Sequence, residues 1–252
     1  MPLSPFFFLE IENMLETQGL SKSFGKLAAL SDVSFQVQQG EIFGIAGPNG
    51  AGKSTLFNAI TGNYAPTAGK ATFNGRDITG LSPDKICHLG IGRTYQIPTT
   101  FHSLSVYDNI RIGSTFGGTH TRRVEDILEF LNLTSIADLP AKNLDLYSTK
   151  LVMLGGVLAT NCRLLMLDEP MAGFSMPEIN RFVDVLRLIN KESNTTIVII
   201  EHLLDILINL TGRMLILSNG SLLYLGDSRG VTADQRVVEV YLGSNYKEGD
   251  HA

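Results

Sequence analysis

The chain has 252 residues, of which 44% are hydrophobic and 18% charged, and its formal net charge is −5. That length suits one large domain, or one core with an inserted lobe, and the composition excludes a disordered chain. The acidic balance speaks against direct binding of DNA or RNA, and no apolar run reaches the roughly 18 residues of a transmembrane helix.

The first 13 residues, ending in "FFFLEIEN", read as a tail. Their apolar run is too short for a secretory signal, and Glu10 and Glu12 come directly after it. An ordered pattern begins near Met14, so residues 14–252 are expected to form a single domain. Two short strand-like runs fall within residues 16–37, the second alternating with period two. "EIFGIAG" reads as a buried strand running into glycines, and "KSTLFNAI" continues it as a helix. Asn74-Gly75 and Asn219-Gly220 each signal the tip of a hairpin. From about residue 97 to 158 the pattern is helical, with Val124, Ile127, Leu128 and Leu131 on one face. Strand character returns at "LLMLD" and "TIVIIE", separated by a helix that Ser175 and Glu178 open as a capping box, with Pro177 in its first turn. A last helix is expected from Thr232 to Gly243. The two cysteines, Cys87 and Cys162, lack C-x-x-C spacing and fit a reducing compartment. The fold class is α/β: a mostly parallel sheet in a phosphate-loop core, an antiparallel β subdomain and an inserted helical subdomain.

Two segments carry chemistry. Gly47, Pro48, Asn49, Gly50, Ala51, Gly52, Lys53, Ser54 and Thr55 fit G-x-x-x-x-G-K-[ST] between a strand and a helix. Glycines there let backbone N–H groups turn toward a phosphate, and the helix N-terminus adds a favourable dipole. Lys53 is placed for the β- and γ-phosphates, Ser54 for Mg²⁺ and Thr55 for the α-phosphate. In "RLLMLDEP" an apolar strand ends in two carboxylates. Asp168 is expected to hold Mg²⁺ through water, and Glu169 to act as the base that polarises the attacking water.

Together these segments resemble the ATPase subunits of ATP-binding-cassette (ABC) transporters, over about Gly19 to Gly243. The resemblance implies that Phe24 stacks on adenine, that Gln96 touches Mg²⁺ and water and relays to membrane subunits, and that His202 contacts the γ-phosphate. The cofactors it implies are ATP and Mg²⁺. "GIGRTYQIPTTFHSLSVYDNI", "LLMLDEPMAG", "IIEH" and "VVEVYLG" look like the larger ATPase subunit of branched-chain amino-acid importers. The lipopolysaccharide-export ATPase shares several of these blocks. Implied partners are a sibling ATPase and transmembrane permease subunits, on the cytoplasmic face of the plasma membrane, with no nucleic acid.

One slot departs from the family. Counted back from Asp168, the family's signature (usually L-S-G-G-Q or L-S-Y-G-Q) falls on Leu144, Asp145, Leu146, Tyr147 and Ser148. Its serine and glycine backbone normally clamp the ATP bound by a partner subunit. A carboxylate at Asp145 repels that phosphate, and Leu146 and Tyr147 are expected to add bulk where backbone must come close. Gly155 and Gly156 are expected to weaken the helix they sit in. These departures imply a dimer with unequal ATP sites. Two readings compete: the ATPase of a lipid or lipopolysaccharide exporter, and a non-catalytic, regulatory nucleotide-binding subunit, against which the intact Glu169 and His202 argue.

Overall fold

The computed structural model describes residues 13–118 and 122–242. Asn13 opens the first strand; the rest of the expected tail lies outside the described residues.

The antiparallel subdomain consists of β1 (Asn13–Phe24), β2 (Leu27–Gln38), β4 (Ala68–Phe73) and β5 (Arg76–Asp77), in the order β2-β1-β4-β5. The first two strands run to 12 residues each, longer than the expected short runs, because pairing along β1 on both sides carries them past the apolar stretches. The core sheet combines β3 (Ile42–Ala46), β6 (Ile91–Thr94), β7 (Leu164–Asp168), β8 (Thr196–Ile200), β9 (Arg213–Ser218) and β10 (Ser221–Asp227). Its order is β10-β9-β3-β8-β7-β6, parallel throughout except for the β9–β10 hairpin. Both hairpin tips adopt positive φ at Asn-Gly, at 47° and 72° for Asn74-Gly75 and 48° and 76° for Asn219-Gly220.

A parallel sheet covered on both faces needs continuous apolar strands, and β7 and β8 are buried at every position. Their residues alternate between two cores, as a period of two requires. Leu165, Leu167, Ile197 and Ile199 face the helical side; Leu164, Met166, Val198 and Ile200 face the antiparallel side, with Phe43, Leu56 and Phe57.

Helices α1 (Lys53–Ile60) and α2 (Pro83–Leu89) precede β6. The inserted subdomain holds α3 (Val106–Phe116), α4 (Val124–Phe130) and α5 (Leu146–Ala159), with short 3₁₀ turns between. Its glycines have a use that helix propensity does not reveal: α3 and α5 cross so closely that a Cβ on Gly113 would fall 1.9 Å from the Gly156 carbonyl oxygen. A Cβ on Gly155 would stand 3.0 Å from Ile110. Gly155 and Gly156 therefore lie inside an intact helix whose partner presses against them.

Helix α6 (Met176–Ser193) follows β7, and Glu178 accepts from both the Ser175 N–H (2.7 Å) and its hydroxyl (2.6 Å) at its start. The chain then runs through α7 (Leu204–Leu210) to α8 (Gln235–Leu242). Here the expected helix start is corrected. Thr232 lies in a 3₁₀ helix over Ser228–Ala233, and α8 begins only at Gln235. Asp234 enforces the break by accepting the Arg236 N–H at 3.0 Å, the turn that a short acidic side chain favours. The expected end at Gly243 lies outside the described residues.

Candidate active site

The C-terminal ends of β3, β7 and β8 lie side by side, and the loops leaving them converge on one cleft of about 670 Å³. Phe24, residues 49–55, Gln96, Glu169 and His202 all line it.

The loop after β3 turns tightly enough that only glycine fits at two positions. At Gly47 (φ 149°) a Cβ would lie 2.2 Å from the Leu217 carbonyl oxygen, and at Gly52 (φ 101°) one would lie 2.6 Å from that of Ala29. Gly52 caps α1, whose first residue is Lys53. The buried Lys53 ammonium donates to the carbonyls of Gly47 (2.7 Å) and Pro48 (3.1 Å), curling the loop around itself. Burial lowers its pKa, against the pull of Glu169 and Asp168. Ser54 and Thr55 face the cleft at the helix start.

Asp168 ends β7 with its side chain almost fully buried. Arg93 Nη2 donates to Oδ2 at 3.0 Å, while Oδ1 is buried without any partner. Burial raises the Asp168 carboxyl above its ordinary range, opposed by Arg93. Glu169 comes next, in the left-handed region (φ 48°), a conformation that strains a non-glycine residue. The turn aims its carboxylate into the cleft, where Gln96 donates to Oε2 and His202 Nε2 lies 2.6 Å from Oε1. Gln96, Glu169 and His202, far apart in sequence, thus form one hydrogen-bonded row. Phe24 stands 44% exposed at the end of β1, its ring edge-on to Tyr64 at 5.1 Å.

The Leu144–Ser148 segment is separate from this cleft. Leu144 precedes α5, and Asp145 caps the helix by accepting the Ser148 N–H at 2.7 Å. Tyr147 turns away from the helix end to pack against Phe174 (5.2 Å between ring centroids) and Phe182 (6.5 Å), beneath the Arg181 guanidinium (4.8 Å). The expected obstruction thus falls on Leu146, 41% exposed, rather than on the tyrosine.

Three buried charged residues escaped the sequence reading. Arg93 is one. Lys150 is another: it donates to the carbonyls of Pro170 (2.8 Å) and Ala172 (2.7 Å), pinning α5 to the loop after Glu169. The usable signal was a lysine in the stripe of Leu154 and Leu158 on α5, where apolar residues belong. The third is Glu201, which accepts the Met171 N–H at 2.8 Å and whose carboxyl burial pushes from 4.5 to about 7. A raised folded value means that the native state holds more protons than the unfolded chain between those two values. Stability therefore falls as pH rises from 4.5 to about 7. Glu201→Gln keeps the acceptor and removes the ionisation. In thermal melts the variant should gain on the wild type as pH rises across this window; a constant gap would refute the assignment.

A divalent cation fits this site on one structural ground: Asp168 offers a buried, unpartnered oxygen beneath the phosphate loop. The chain matches the ABC transporter family over residues 30–172. It is 35% identical to the probable branched-chain amino acid transport ATP-binding protein LivG of Archaeoglobus fulgidus, over 93% of this chain and 97% of that one. It is 30% identical to the high-affinity branched-chain amino acid transport ATP-binding protein BraF of Pseudomonas aeruginosa, over 91% and 98%. The crystal structure of the ADP conformation of MJ1267, an ATP-binding cassette of an ABC transporter, superposes with a TM-score of 0.84 at 34% identity, covering 92% of this chain and 99% of that one. A phosphate loop, a paired Asp-Glu at a strand end and this breadth of likeness lead to one conclusion: the chain belongs to the ABC transporter family of ATPases.

Proposed function

We propose that this ATPase powers a membrane importer for branched-chain or other hydrophobic amino acids, as one half of a pair with unequal ATP sites. Its relatives' names support the substrate class. The observation that carries the asymmetry is Asp145: the chain holds a complete cleft around Glu169 but caps its own clamp helix with a carboxylate.

In the cleft, Phe24 offers its exposed face to adenine, the loop amides and Lys53 neutralise phosphate charge, and Ser54, Gln96 and Asp168 would hold Mg²⁺. When bound there, the cation would supply charge neutralisation to the phosphates. Glu169, gripped by Gln96 and His202, accepts a proton from the attacking water, and His202 lies within reach of the γ-phosphate. A partner's intact signature completes this site. The site receiving this chain's Leu144–Ser148 segment meets Asp145 where a serine hydroxyl is needed, and so hydrolyses slowly.

No helix among the described residues is long and apolar enough to cross a membrane. The chain sits on the cytoplasmic face, held by permease subunits. Tyr95, Thr99, Phe101, Ile112 and Met153 line a groove of about 220 Å³ beside Gln96, suited to a short permease helix.

The test compares ATP turnover of the isolated chain, the chain with a sibling ATPase, and the Asp145→Ser variant alone. Serine is also a good helix cap, so α5 keeps its start while the repulsive charge goes. The isolated wild type should be nearly inactive, the pair active, and Asp145→Ser alone raised by about tenfold, which corresponds to roughly 1.4 kcal/mol of barrier. Vigorous turnover by the isolated wild type would overturn the asymmetry. Uptake by the assembled transporter in proteoliposomes decides the substrate.

A further inference from the structure

We propose that Arg93 is the positioning residue for Asp168, holding one carboxylate oxygen so that the other is presented to the divalent cation that accompanies ATP. The proposal rests on the reading of Asp168 as the acid that serves that cation.

Arg93 lies on β6, paired alongside β7, and its side chain is 7% exposed against 5% for Asp168. Two of its three guanidinium nitrogens are engaged, and Nε is buried without a partner. Nη2 meets Asp168 Oδ2 at 3.0 Å, and Nη1 donates to Asn58 Oδ1 (2.7 Å) and Thr61 Oγ1 (2.8 Å). The ring of Phe57 lies 5.5 Å from the guanidinium carbon on one side and that of Tyr95 4.7 Å on another. Asn58 and Phe57 belong to α1, the helix that Lys53 opens, and Thr61 caps its end. One side chain therefore ties the end of β7 to the helix that carries the phosphate-binding residues.

The division of the fork separates a positioning role from a merely structural ion pair. A guanidinium free to satisfy a carboxylate usually takes both oxygens at once. Here one nitrogen is spent on α1 and only one on Asp168, leaving Oδ1 buried without a partner. An orphaned buried acceptor carries a desolvation penalty and calls for an explanation in ligand binding or catalysis. Lysine, a single point donor, cannot span all three acceptors with fixed geometry.

The test titrates the full chain with trinitrophenyl-ATP, once with excess MgCl₂ and once with EDTA, and takes the ratio of affinities as the contribution of Mg²⁺. Arg93→Met should cut that ratio by about tenfold, the range typical for groups that orient metal ligands, while leaving affinity in EDTA unchanged. Arg93→Lys, which keeps the charge, should recover part of the loss. Equal weakening with and without Mg²⁺ would make Arg93 a scaffold only. An unchanged or larger ratio, the latter marking a cation that competes with Mg²⁺, would also overturn the proposal. Asp168→Asn, run in parallel, should abolish the ratio. If it does not, the reading of Asp168 falls and the proposal with it. If it does while Arg93→Met leaves the ratio intact, only the role of Arg93 falls. Should Arg93→Met fail to fold, Asn58→Ala removes one of the two acceptors that hold Nη1 and should reduce the same ratio; no reduction overturns the proposal.

Discussion

Glu169→Gln should lower ATP turnover of the assembled transporter by about 1,000-fold, within the range of general-base catalysis, while ATP still binds. The amide keeps the shape of the carboxylate, so it can still hydrogen-bond to Gln96 and His202, but it cannot take a proton from water. The left-handed backbone at residue 169, shared by both side chains, is unchanged by the swap. A variant that keeps about a tenth of its turnover would show that another group serves as base. A variant that loses ATP binding as well would place Glu169 in nucleotide recognition instead. In the proposed unequal pair, the same change in the sibling ATPase should matter far less.

The second large effect concerns stability, and one helix crossing contains its own control. Gly113→Ala should lower the thermal midpoint by about 2–12 °C, from an overpacking penalty of about 1–3 kcal/mol at roughly 2–4 °C per kcal/mol. Its new methyl would strike backbone, the Gly156 carbonyl oxygen, at 1.9 Å, and backbone cannot rotate aside. Gly156→Ala, on the facing helix, should be neutral or stabilising. Its Cβ would meet only the Asn109 carbonyl oxygen at 3.7 Å, an ordinary contact, and alanine favours the helix interior by about 1 kcal/mol over glycine. Differential scanning of both variants settles the matter; equal destabilisation would mean that the crossing is not set by Gly113.

The contrast between these two glycines shows where sequence reasoning stops. Local signals succeeded where a residue type answers a local demand. The apolar run into Asp168, the glycines around Lys53, both Asn-Gly tips and the Ser175–Glu178 helix start were all legible for that reason. Gly155 and Gly156 were read as helix-weakening because propensity is a property of one helix, whereas a crossing belongs to two. Tyr147 was expected to crowd the clamp, but its direction depends on Phe174 and Phe182, which lie about 30 residues downstream. Strand β6 was invisible because Gly92 and Arg93 interrupt its pattern, and so the ion pair to Asp168 was invisible too. The last helix began three residues later than expected because Thr232 reads as a cap, while the turn that Asp234 makes with Arg236 is seen only in the fold.

The cleft draws its walls from residue 24 to residue 220, on the two sheets and the loops between them. No short segment of the chain contains it, so nucleotide recognises the folded molecule rather than the unfolded chain. Binding and folding are thereby one linked equilibrium: at about 100 times its dissociation constant, a nucleotide adds about 2.7 kcal/mol to global stability. ATP is thus a thermodynamic component of the native state as well as the substrate, and a cell that runs short of it loosens the protein as a whole.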